Sequence, residues 1–166
     1  CDPGAPRAVL PAIVVAQVAG TSLWFGGNAV AQQMAQQHAW SEEAVAGILM
    51  GVQVGFILGT LALGLSGLAD VVAGRWIFLS ACVVGALANS SIVWFSPSWG
   101  AGSAVFLRVL TGMCLAGIYP IGMSTAATWY PQGLGLAIGW LVGALVLGSA
   151  SPHLLLAAGG LGVGSS

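Results

Sequence analysis

Beyond Arg75 the chain carries one charged residue, Arg108, all the way to Ser166. A soluble fold needs about 25% charged residues to hold its surface in water. Here the charged share is 4% and the hydrophobic share 58%, in 166 residues with a mean hydropathy of +0.98. One core cannot hide that much apolar surface. The sequence therefore implies an all-α membrane protein whose outer face meets lipid, with every backbone polar group satisfied inside a helix.

Five runs are long enough to cross hydrocarbon, which takes about 20 apolar residues as a helix. They cover 8–31, 43–69, 75–95, 103–130 and 133–158, with a short tail at 1–7 and a Gly/Ser-rich, flexible tail at 159–166. The first run is too long for a cleaved signal peptide and reads as a true span. Between the runs, 32–43 is polar, and Ser41 before Glu42 and Glu43 looks like a capped helix start. A tight loop is expected at 70–74, and turns at Ser96-Pro97-Ser98 and Pro131-Gln132-Gly133.

Basic residues orient such a bundle. Arg7 precedes the first span and Arg75 follows the second, so both fall on one side, while His38, Glu42 and Glu43 fall on the other. This places the N-terminus in the cytoplasm.

Composition also excludes. The chain has no lysine and a net charge of −1, so nothing offers nucleic acid a basic patch. Cys1, Cys82 and Cys114 are scattered, and neither metal-ligand spacing nor a disulfide framework is present. Cys1 reads as the start of a fragment rather than as a lipidated cysteine. Ser124 lacks the setting of a nucleophile, and no loop suits a phosphate. The expectation is a non-enzyme with no cofactor and no metal.

Arg108 is the sharpest candidate. Near the centre of a membrane helix an arginine costs about 2.5–3.5 kcal/mol on insertion scales. Such a residue faces a bundle interior or a water-filled cavity and marks function by default. Arg108, Gly112, Leu115 and Tyr119 share one helical face, and Pro120 should kink the helix just before it. On the first span Gln17, Thr21, Trp24 and Asn28 recur at intervals of four, three and four, again one face. Cavity lining and interhelical hydrogen bonding explain that face equally well. Gln53 and Asn89 read as packing residues, and His153, beside Pro152, as structural. Gly47, Gly51, Gly55 and Gly59 form a smooth stripe on the second span, and Gly135, Gly139 and Gly143 repeat it on the fifth. Both should pack tightly inside the bundle.

Three stretches carry a family likeness. The segment Ser66-Gly67-Leu68-Ala69-Asp70-Val71-Val72-Ala73-Gly74-Arg75 resembles a degenerate short cytoplasmic signature between two spans. Arg108-x-x-x-Gly112-x-x-x-Ala116 resembles a fourth-helix arginine motif. Thr21-Ser22-Leu23-Trp24-Phe25 through Asn28, with Trp129-Tyr130-Pro131 and the segment from Gly139 to His153, completes the pattern. Together they resemble the N-terminal half of a major facilitator superfamily transporter. Within the signature Asp70 matches, Ser66 stands for a glycine and Val71 for a basic residue.

The resemblance implies twelve helices in two halves, each half an inverted repeat, with the solute site between them. Five spans would supply one wall of that site. It implies a fragment of a secondary transporter that moves a small solute by alternating access, completed by a C-terminal half or a second copy. Arg108 would bind an anionic group or couple to protons. Gln17, Trp24, Asn28 and Tyr119 would line the cavity, and Asp70 and Arg75 would belong to the gate. The rival readings are a small self-associating transporter and a non-transporting assembly subunit.

Overall fold

A computed structural model describes residues 8–37 and 40–146. Cys1, Arg7, His38, Pro152, His153, the two tails and the end of the fifth expected span lie outside the described residues. Among those described, the chain is helical and has no strand. It forms α1 (Val9–Gln37), α2 (Glu42–Ser66), the short α3 (Leu68–Val71), α4 (Gly74–Trp99), α5 (Ala101–Trp129) and α6 (Leu134–Val146). Four stretches are long and apolar enough to span a membrane: Val9–Asn28, Glu42–Ser66, Gly74–Ile92 and Ala101–Trp129.

Local chemistry sets the boundaries. Ser41 has extended backbone, and its hydroxyl accepts a hydrogen bond from the Ala44 N–H at 3.3 Å, as an N-cap should. Glu42 and Glu43 follow in the first turn, where carboxylates favour the positive helix end. α2 ends at Ser66, three residues earlier than expected, because Gly67 adopts φ +63°. That left-handed residue stops the helix as a glycine C-cap does. The chain then makes the single turn of α3, which takes in Asp70 and Val71, so the expected loop at 70–74 shortens to Val72 and Ala73.

The expected turn at Ser96-Pro97-Ser98 is also displaced. α4 runs through it to Trp99, and the reversal falls on Gly100 at φ +80°. Pro97 lies in the last turn of the helix, where it ends nothing upstream of itself. A sharp reversal between two helices needs positive φ, which glycine supplies without strain. α1 likewise continues to Gln37, through the first half of the polar segment 32–43. Polarity ends a membrane span without ending a helix.

α5 is the axis of the bundle. Half of its spanning window is buried, against 17–28% for the other three spans. α2, α4 and α1 all pack on it. α2 runs parallel to it in steps of four. A Cβ on Gly51 would lie 3.1 Å from the Val105 carbonyl, one on Gly55 would overlap the Val109 carbonyl, and one on Gly59 would lie 2.7 Å from that of Met113. Gly112 returns the fit from α5, against the Val52 carbonyl. Small residues at matched steps allow this backbone-to-backbone approach. α4 and α1 run antiparallel to α5, as the pairs Gly85–Cys114 and Gly117–Ala81, and Gly20–Ile118, show. α6 closes on the opposite end, where Ala137 and Leu141 pack with Ala126, Leu10, Ile13 and Val14.

The glycines of α6 depart from expectation. Among the described residues, Gly135, Gly139 and Gly143 have nothing within 4 Å of an added Cβ. The α2 stripe packs because α5 presents backbone at the same period, and no described element does so for α6. Gln53, read as packing, is exposed on the outer face of α2.

The exterior is apolar. Val15, Leu87 and Phe106 are each more than 60% exposed, which fits contact with lipid tails rather than water. Trp76 and Trp129 are exposed near one end of the helices, and Trp94 and Trp99 near the other. Tryptophans at both ends are the arrangement of interfacial belts.

Candidate functional site

Arg108 sits about two turns into α5 and is 0% exposed. Its Nη2 donates to Oδ1 of Asn28 on α1. Its Nη1 faces two acceptors, Oδ1 of Asn89 on α4 and the backbone carbonyl of Leu23, each at 3.5 Å. Nε has no partner among the described residues. The chain contains two asparagines, Asn28 and Asn89, and both converge on this guanidinium.

Backbone shape makes the slot. A Cβ on Gly27 would overlap Nη1 and lie 2.5 Å from Oδ1 of Asn89. On the other side, a Cβ on Gly51 of α2 would lie 3.3 Å from Cβ of Arg108. No carboxylate shares the slot: among the described residues Glu42, Glu43 and Asp70 are all exposed. The charge is therefore met by neutral oxygens alone. Hydrogen bonds to a charged group contribute about 1.5–3 kcal/mol each when well made, enough to offset an insertion cost of about 2.5–3.5 kcal/mol.

A separate cavity of about 230 Å³ lies further along α5. It is lined by Thr21 and Trp24 of α1, Phe56 of α2, Leu115 and Tyr119 of α5, and Leu145 of α6. Its lining surface is apolar, and Trp24 stacks on Phe25 with ring centroids 6.3 Å apart. The Thr21 hydroxyl donates to the Gln17 carbonyl at 2.8 Å, so its own need is met within α1.

Gln17 is 2% exposed and presses on Gly122, whose missing side chain makes the room. Neither Oε1 nor Nε2 has a hydrogen-bond partner among the described residues. An unpartnered buried amide group costs about 1–3 kcal/mol.

The residues expected to form one lining thus occupy three places. Trp24 and Tyr119 line the cavity. Arg108 and Asn28 form a polar cluster outside the cavity lining, and Gln17 lies against α5 at another level. The physical reason is length: Arg108 and Tyr119 share a face of α5 but are separated by eleven residues, about 16 Å of helix. The shared face of α1 is observed, since Gln17 and Thr21 are buried and Trp24 and Asn28 half-buried. Asn89 was missed. The signal was available, because a guanidinium in an apolar bundle needs oxygens from neighbouring spans and few spans offer them.

The expected gate residues lie apart from both sites. Asp70 is exposed in α3 and Arg75 is exposed in the first turn of α4, and no ion pair involving either is found among the described residues. Cys82 and Cys114 are free, and no cluster of potential metal ligands occurs among the described residues. No family model, curated protein or solved structure matches this chain.

Proposed function

We propose that this bundle moves a small solute across a membrane, as one wall of a secondary transporter of the major facilitator type. The observation that carries the reading is Arg108, a fully buried cation in an apolar bundle, held by neutral oxygens and without a carboxylate among the described residues. A packing module gains nothing from such a group, whereas a transporter uses it.

The roles divide by position. The cavity between α1, α2, α5 and α6 is the solute chamber, with Trp24 and Tyr119 as its aromatic walls. Arg108 is the coupling group. It ties α5 to α1 through Asn28 and to α4 through Asn89, so a tilt of α1 against α5 must exchange those bonds for others. An anionic group or a nearby proton movement shifts that balance, because the guanidinium itself keeps its charge. Asp70 and Arg75, on the side read as cytoplasmic, belong to the gate. In this proposal the membrane is a bacterial inner membrane and the N-terminus is cytoplasmic.

The test is uptake by the protein purified from its complete reading frame and reconstituted in liposomes. Labelled small solutes are supplied with and without a pH gradient. Accumulation above protein-free liposomes that is lost in Arg108→Leu supports the proposal. Equal accumulation by the folded variant removes Arg108 from the mechanism.

One observation favours a second reading. The glycine face of α6, which no described residue covers, offers a smooth surface to another helix. Two copies of the chain would then form the path together. A specific cross-linked dimer in native membranes supports this arrangement, and monomer alone counts against it.

A further inference from the structure

Three of the six described side chains around the cavity are aromatic, and each comes from a different helix: Trp24 from α1, Phe56 from α2 and Tyr119 from α5. Leu115, 1% exposed, forms part of the wall. It belongs to a buried cluster with Val52 and Ile118, against which Trp24 and Phe56 pack. The cavity therefore borders a packed part of the core.

The space cannot close by bringing α2 and α5 together. A Cβ on Gly112 would lie 2.9 Å from the backbone nitrogen of Phe56, and one on Gly55 would overlap the Val109 carbonyl. The two backbones beside Phe56 are already in contact. A void that persists leaves the atoms around it without dispersion partners, and an occupant of fitting shape restores them. The surface that the six residues present is apolar, and the Thr21 hydroxyl is already bonded to the Gln17 carbonyl, so water finds no partner on it.

Size and wall chemistry narrow the occupant. An apolar cavity of about 150 Å³ is enough to take up benzene. The volume of about 230 Å³ here suits one ring with a small substituent. Aromatic walls favour an aromatic occupant over a saturated one, because ring faces and ring edges carry opposite partial charge and attract each other beyond their area burial.

We propose that this cavity is a binding site for a single aromatic ring, seated among Trp24, Phe56 and Tyr119. The inference deepens the transport reading, on which it rests only for the statement that the solute carried has an aromatic ring. The site itself is measured without transport.

The probe is tritiated trifluoromethyl-phenyldiazirine, photolysed in liposomes that hold the protein purified from its complete reading frame. Labelled positions are read by mass spectrometry. Leu87, 64% exposed on α4, reports contact with the bilayer, and Leu115 reports the cavity. Label at Leu115 should saturate as the probe is raised, while label at Leu87 should rise in proportion to it. Toluene should displace the label at Leu115. Methylcyclohexane has the same carbon skeleton without the π system. At the same mole fraction in the bilayer it should displace the label about two- to tenfold less well, the worth of one aromatic contact. Phe56→Leu keeps a hydrocarbon wall and removes one ring, so it should narrow that difference while Leu115 is still labelled.

No label at Leu115, label there that rises in proportion as at Leu87, or equal displacement by methylcyclohexane each overturns the inference. An unchanged preference for toluene in folded Phe56→Leu takes the selection away from the aromatic walls and overturns it too. Arg108-dependent uptake of a solute without a ring, with no saturable label at Leu115, overturns the inference and leaves the transport reading in place. Saturable label displaced by toluene, without movement of any solute, supports the site and sinks the transport reading instead.

Discussion

Gly112 of α5 lies against the backbone carbonyl of Val52 on α2, with no room between them for a Cβ. Gly55 of α2 meets the carbonyl of Val109 in the same way, one step along the shared interface. The two helices are in backbone contact over several turns, so the interface cannot yield by moving a side chain. Gly55→Leu should force the backbones apart and lower stability by about 1–3 kcal/mol, the range of overpacked cores. Thermal unfolding in detergent measures it. Gly143→Leu on the open face of α6 serves as the control and should change stability little. Equal stability of Gly55→Leu and the parent would mean that α2 does not pack on α5 as described.

The two asparagines at Arg108 should differ in weight. Asn28 alone accepts from Nη2, while Asn89 stands at 3.5 Å and shares Nη1 with the Leu23 carbonyl. Asn28→Ala should lose about 1.5–3 kcal/mol, as expected for a hydrogen bond to a charged group, and Asn89→Ala clearly less. Arg108→Lys should resemble Asn28→Ala, since an ammonium lacks the planar fork that reaches both α1 and α4. Denaturation in mixed detergent micelles ranks the three. The reverse order for the asparagines would show that α4, not α1, holds the guanidinium.

Tyr130 ties the two ends of the fold together. Its hydroxyl accepts a hydrogen bond from the Leu10 N–H at 3.1 Å, across 120 residues, in the first turn of α1. First-turn amides have no partner inside their own helix, so this one is capped from α5's end. Tyr130→Phe should cost about 0.5–1.5 kcal/mol and speed amide exchange in the first turn of α1. Unchanged exchange at Leu10 would remove Tyr130 from that role.

Orientation is tested by labelling. Val71→Cys and Glu43→Cys are both exposed and lie at opposite ends of α2 and α3. In a background without the native cysteines, an impermeant thiol reagent added outside intact cells should reach Glu43→Cys and spare Val71→Cys. The opposite result would invert the topology read from Arg7 and Arg75.

How far the sequence reaches is clearest at Ser41 and Gly47–Gly59. Serine followed by two glutamates announces a helix start because the cap and the dipole act within one turn. Glycines at every fourth residue of α2 announce a smooth stripe for the same local reason. Ser96-Pro97-Ser98 shows the limit of such reading: the pattern favours a turn, but the reversal waits for Gly100, where φ can become positive.

Hydropathy and helical period are enough to require a bundle of apolar helices in which Arg108 needs partners. Period and hydropathy act along one helix, and both can be counted on a single strand of text. Which partners those are depends on how the helices pack. Asn89 comes to Arg108 from α4 because α4 runs antiparallel along α5, and Gln17 falls against Gly122 because α1 does the same. The open glycines of α6 make the same point from the other side. A small-residue stripe packs only where a facing helix presents backbone at the same period, and that depends on register between helices, which no single helix encodes.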